Sequence, residues 1–207
     1  MNVLIVGADD GVGSLLPGAA LARGHVVTAF GAAAAVTAGA GLRVVAGGLE
    51  DVIALADAMA GQDAVLYAVE PSARRDGGGT VAQGARAVLR AMHAEAVRRL
   101  VCLSVGDLGA SGRSGLVARL FGGAAGERAL ADVRQMEVAV RQSGLDWTIV
   151  RAAALHDRPA KHSWRTAPGY AVPRGAAIAR ADVAQAMLGE LDGRADVGHA
   201  VAVAVAW

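Results

Sequence analysis

Glu70, Ser104 and His156 are the residues of this sequence best suited to move a proton. A histidine titrates near pH 6.5 and so works as acid or base at neutral pH. Glu70 precedes Pro71 and lies under a loop, where burial would raise its pKa into the range of a general base. Ser104 closes an apolar run, where its hydroxyl can donate a hydrogen bond to a carbonyl. Asp107, Arg151, His162, Trp164 and Tyr170 fall in segments that follow strands, and are candidates to hold a small-molecule substrate. The five histidines have no metal-ligand spacing, and no metal site is expected. Cys102 lies within a strand with no base near it in sequence, and reads as a small buried side chain.

A second group of residues is built to bind. Residues 2–6 are a short, apolar, β-branched run of the kind found in buried parallel strands. Gly7, Gly11 and Gly13 follow at once in the spacing G-x-x-x-G-x-G, and an apolar helical pattern then begins. Strand, glycine-rich turn and helix in that order form the phosphate-binding corner of a nucleotide fold. The glycines permit a tight turn, and the helix start offers unpaired N–H groups and a partial positive charge. The residues at this seat are Gly7, Asp9, Asp10, Gly11, Val12 and Gly13. Asp9 and Asp10 put negative charge where phosphates would sit, so a turn that merely caps its own helix is the competing reading.

The elements that position these groups alternate. Strands are expected at 2–6, 25–30, 42–46, 64–69, 98–104, 146–150 and 200–206, and helices at 50–59, 81–96, 127–143 and 182–191. Pro17 and Gly18 predict a late or distorted start for the first helix. This alternation implies an α/β, Rossmann-like, doubly wound parallel sheet of six to seven strands with helices on both faces, as one domain over 1–207. Residues 72–80 form a polar rim, 115–121 a short lid helix, and 151–175 a substrate loop or lid. In such sheets ligands lie beyond the carboxyl ends of the strands. The second strand runs into Gly31 and a stretch of alanines, offering neither an acid for ribose hydroxyls nor an arginine for a 2′-phosphate.

The bulk numbers exclude several classes. The net charge is +1 with both signs interleaved, so no basic stripe suits nucleic acid. No apolar run approaches the roughly 20 residues of a membrane span. A single cysteine and a start that leads straight into a strand fit a cytoplasmic protein. The Ala- and Gly-rich composition associates with bacterial secondary metabolism. The last strand either forms a sheet edge or pairs with a partner, and the oligomeric state stays open.

The chain resembles the atypical short-chain dehydrogenase/reductases, in particular the NAD(P)H-binding, NmrA-like group of the biliverdin reductase B/flavin reductase type. The resemblance rests on Val3-Leu-Ile-Val-Gly7 with Gly11 and Gly13, on Ala60-Gly-Gln-Asp-Ala-Val65, and on Ser143-Gly-Leu-Asp-Trp-Thr-Ile-Val-Arg151 and Ile178-Ala-Arg-Ala-Asp-Val-Ala184. It implies NADP or NAD as cofactor and hydride transfer to a small conjugated carbonyl, quinone or flavin. Several family positions differ. Asp10 stands where the family has glycine, Gly48 where it has an acid beside the adenine, and Ala129 and Val133 where many relatives have Tyr and Lys. Ala154 replaces a loop histidine, with His156 two residues on. The alternative is therefore a relative of the same fold that binds no dinucleotide. It would use its cleft for dehydration, isomerisation or cyclisation, or for ligand binding alone.

Overall fold

The computed structural model describes residues 1–31, 39–71, 81–105, 123–168, 172 and 176–205. In chain order the elements are β1 (Asn2–Val6), α1 (Gly11–Ala22), β2 (Val26–Gly31), β3 (Leu42–Ala46), α2 (Val52–Met59), β4 (Ala64–Tyr67), α3 (Val81–Ala94) and β5 (Arg99–Val105). They continue with α4 (Gly123–Arg141), β6 (Asp146–Ala152), β7 (Ala154–His156), β8 (Trp164–Pro168), β9 (Ala177–Ala179), α5 (Arg180–Asp192) and β10 (His199–Val205). One sheet runs β3-β2-β1-β4-β5-β6-β10-β8, and β7 pairs with β9 in a small parallel ribbon. Every pairing in the large sheet is parallel except that of β8 with β10.

The pleat sorts the core into two layers. Val3 and Ile5 of β1 join Val12, Leu16 and Ala20 of α1 and Val183, Met187 and Leu188 of α5. Leu4 and Val6 face the other way, onto Leu55 and Met59 of α2, Val88 and Met92 of α3, and Met136 and Val140 of α4. Successive strand side chains point to opposite faces, so continuous apolar runs such as 2–6 are what a sheet covered on both sides requires. The order of strands reverses between β1 and β4, and a crevice opens at their carboxyl ends where ligands of this architecture bind.

Carboxylates close the helix starts. Asp51 accepts from the Ala54 N–H at 3.0 Å in the first turn of α2. Asp132, reaching across from α4, accepts from Val81 N at 2.7 Å and Ala82 N at 3.2 Å where α3 begins. Each satisfies N–H groups that have no partner within the helix and places negative charge at its positive end.

Three expectations change. Helix α1 starts promptly at Gly11 and carries Pro17 inside it, buried. The proline forgoes one N–H bond, to the Gly13 carbonyl, and the apolar burial of the ring sustains the helix. Within 151–175 the chain forms β7 and β8, where a loop or lid was expected. Strand β8 is at the sheet edge with Arg165 and Thr166 exposed, which is why its sequence lacks a strong apolar period. Strand β10 is interior, between β6 and β8, because β8 folds back to cover it. The rim at 72–80, the lid helix at 115–121, Asp107, Tyr170 and Trp207 lie outside the described residues.

Candidate functional site

The corner between β1 and α1 is shaped by its glycines. A Cβ added at Gly13 would lie 1.9 Å from the Gly7 carbonyl oxygen, so only glycine lets α1 rest on the turn. Gly7 adopts φ +88° and Gly11 φ +52°, both in the region L residues avoid. The turn folds over β2, with Gly7 N and Ala8 N both donating to the Phe30 carbonyl.

Carboxylates of the chain itself fill this corner. Asp10, the N-cap of α1, accepts from Gly11 N at 2.7 Å. Glu70, just beyond β4, accepts from Val12 N at 2.7 Å through Oε1. Arg180, the first residue of α5, donates from Nε to the same Oε1 at 3.1 Å and from Nη2 to Oε2 at 3.0 Å. Its Nη1 reaches Asp157 at 2.9 Å. The hydrogen bond to Glu70 outweighs burial and holds the Arg180 guanidinium above its ordinary pKa. A Cβ at Gly11 would lie 2.0 Å from Glu70 Oε1. The glycine thus makes room for an anionic oxygen against the helix start, and Glu70 supplies it.

Asp9 turns toward the end of β2. A Cβ built on Gly31 would meet its Oδ1 at 2.7 Å. The strand end that lacks an acid in sequence receives one from the neighbouring turn, through space. No short-range pattern around 31 could have revealed it.

Ser104 and Arg151, at the ends of β5 and β6, are drawn together by a residue absent from the sequence reading. Glu137 on α4 is 2% exposed. It accepts from Ser104 Oγ at 2.7 Å, from Arg151 Nε at 2.9 Å and Nη2 at 2.6 Å, and from Arg141 at 2.7 Å. Burial pushes its carboxyl up, but the bonds from Arg151, Ser104 and Arg141 prevail and hold it below the ordinary carboxylate value. Arg151 is raised in turn, chiefly by its bonds to Glu137. The Ser104 hydroxyl, expected to donate to a substrate carbonyl, donates to Glu137 in this structure. Arg151 likewise faces a carboxylate of the protein. The signal for Glu137 was available, since it lies on the same helical face as Val133, Met136 and Val140.

A small hollow of about 20 Å³ adjoins these groups, walled by Val69, Leu103, Val105, Val133, Met136 and Leu155, with Glu70 and Ser104 also lining it. The structure brings Glu70 and Ser104 together there, but not His156. Leu155 lines the hollow and alternation along β7 turns His156 to the opposite side. The His156 Nδ1 is buried and has no partner among the described residues. His162 is exposed at φ +52°, and its backbone N–H donates to buried Asp182 at 3.0 Å. Trp164 opens β8 opposite Val205 of β10, and so belongs to the sheet and not to a lid. Cys102 is fully buried, and that burial raises its thiol far out of the reactive range. Among the described residues no cluster could hold a metal ion.

A parallel sheet reversing at β1 and β4, with a glycine turn and a helix start in the crevice, defines a nucleotide-binding Rossmann protein. The profile of the NAD(P)H-binding family matches residues 7–193, and the chain belongs to that family. Three solved structures share the fold. A short-chain dehydrogenase/reductase from Veillonella parvula in complex with NADP has 19% identity and TM-score 0.79, covering 98% of this chain and 94% of its own. The anaerobillin reductase ChuY from Escherichia coli O157:H7 has 19% identity and TM-score 0.79, covering 99% and 97%. A Rossmann-fold NAD(P)-binding protein from Shigella flexneri has 22% identity and TM-score 0.75, covering 99% and 93%. No curated protein sequence matches the chain.

Proposed function

We propose that the protein is an NAD(P)H-dependent reductase of a small, conjugated acceptor such as a carbonyl compound, quinone or flavin. The observation that carries this reading is the convergence of Val12 N–H and Arg180 Nε on one oxygen position beside Gly11. Two donors from different helices, one of them a guanidinium, suit a phosphate oxygen in the crevice of this fold. The backbone cradle therefore fits a dinucleotide diphosphate, provided Glu70 yields its place.

When bound, the nicotinamide supplies the hydride, and the protein positions the acceptor. The small hollow beside the seat has apolar walls, with Glu70 and Ser104, held on Glu137, also lining it, and it marks the apolar side of the crevice against which an acceptor would lie. With the Ser104 proton engaged, the proton that completes reduction of the acceptor comes from solvent. Asp9 beside Gly31 favours NAD(H), because a carboxylate there can accept from ribose hydroxyls and repels a 2′-phosphate. The setting is read as cytoplasmic, and among the described residues no helix is long and apolar enough to cross a membrane.

A second reading is favoured by one specific feature, the carboxylates of Glu70 and Asp10 on the first N–H groups of α1. With the seat kept closed, the hollow serves cofactor-free acid/base chemistry. Titration of NADH and NADPH into the purified protein, followed by nucleotide fluorescence and melting temperature, separates the two. Saturable binding in the micromolar range, with NADH ahead, supports the reductase. Silence at millimolar concentrations of both removes it and leaves the second reading.

A further inference from the structure

Glu70 has an odd position for a surface acid. Only 18% of its side chain is exposed, and it is held by one backbone N–H and by two guanidinium nitrogens of Arg180. These are the partners an anionic ligand would need. The two donors that meet at Oε1 come from the starts of α1 and α5, which the sequence separates by more than 160 residues. Among the described residues Arg180 has one other carboxylate contact, Asp157, which is 85% exposed. A contact so exposed fixes the guanidinium weakly. Once Glu70 swings out, Arg180 stays beside the helix start with only the exposed Asp157 carboxylate against it.

We propose that Glu70 is a built-in stand-in for a diphosphate, and that Arg180 is the cation to which the incoming diphosphate transfers when Glu70 gives way. The proposal rests on the dinucleotide reading for its natural ligand, but it concerns the anion seat itself. In the ligand-free protein the seat is satisfied internally, with the Gly11 and Val12 N–H groups of α1 bonded to Asp10 and Glu70. Binding exchanges one anion for another. The Val12 N–H and the guanidinium pass from carboxylate to phosphate oxygens, and the freed Glu70 turns to water. Because only the fraction of molecules with Glu70 displaced can bind, apparent affinity falls below intrinsic affinity by that fraction. Arg180 then becomes a ligand-binding residue, although it lies in none of the glycine motifs.

ADP isolates the seat from the nicotinamide, and isothermal titration calorimetry reads its binding directly. Glu70→Gln keeps the shape and removes the competing charge, and Glu70→Ala removes the stand-in altogether. Both variants should bind ADP at least about tenfold more tightly than the natural protein. Adding Arg180→Gln to Glu70→Gln should remove at least about tenfold of affinity. Circular dichroism and the melting transition check that each variant is folded. If the Glu70 variants bind ADP no better than the natural protein, or if loss of Arg180 leaves the affinity of Glu70→Gln unchanged, the proposal is overturned. The NADH titration of the same proteins stands apart. ADP tightened by Glu70→Gln with no NADH binding to any variant keeps the seat and rejects the reductase. NADH bound equally by all variants keeps the reductase and rejects the stand-in.

Discussion

On the proposed reading, Asp9 is the residue on which cofactor choice turns. Its carboxylate lies against Gly31, at the end of β2 where dinucleotide folds recognise the adenosine ribose. A 2′-phosphate brought within about 4 Å of it would meet a like charge, costing on the order of 1–4 kcal/mol between bulk water and a protein surface. NADH should therefore bind at least about tenfold more tightly than NADPH. Asp9→Asn, which keeps the shape and drops the charge, should narrow that ratio severalfold, chiefly by improving NADPH. Parallel titrations of both nucleotides with both proteins check this, and an unchanged ratio places Asp9 outside the ribose site. Glycine at 31 is what admits the carboxylate, since any side chain there would displace it. On that reading, the specificity group absent from the end of β2 is supplied by Asp9 of the neighbouring turn.

Among the elements, the junction of β5, α4 and β6 is held by one buried carboxylate. Glu137 binds Ser104 and Arg151 from two strands and Arg141 from its own helix. Replacing it with Gln leaves Arg151 half-buried without a counter-charge, and the expected loss of stability is about 3 kcal/mol. The pH dependence has a definite sign. The Glu137 carboxyl sits lower in the folded protein than its ordinary value of 4.5, so its contribution is complete above that pH. It falls away as pH drops through the lower folded value. Urea denaturation should give a constant gap between natural protein and Glu137→Gln from pH 8 to about pH 5.5, closing as the solution is made more acidic. A gap that widens in acid would contradict the ion-pair account. The sequence marked Ser104 as a proton donor and Arg151 as a substrate-holding residue because strand ends in this architecture point at the crevice. It could not show that a helix of 19 residues, about five turns, packed on one face of the sheet, would bring a carboxylate between them.

At the scale of the whole molecule, the proposed seat is braced by the packing of α1 on α5. Both helices start at the seat, and their far ends are tied by Arg23, which donates to Asp192 at 2.8 Å and to Gln185 at 2.7 Å. A ligand that joins the two helix starts should stabilise the entire face, and not one loop. NADH at about 100 times its dissociation constant should add roughly 2.7 kcal/mol and raise the melting temperature by about 5–10 °C in a single transition. Scanning calorimetry checks this. A ligand-induced split into two transitions would mean that α1 and α5 respond separately.

The order of strands and helices was legible in the sequence, because burial on both faces forces continuous apolar runs, and glycine, Asp51 and the helical period mark the turns between them. The glycine turn at the start of α1 was legible for the same local reason, since Gly7, Gly11 and Gly13 lie close together in the chain. The company those residues keep was decided by tertiary structure alone. Glu70 reaches Arg180, Asp9 reaches Gly31, and Glu137 gathers Ser104 and Arg151 only when the sheet has formed. Charges attract through space whatever their separation in sequence, and a local pattern carries no record of which pairs the fold will bring within 3 Å.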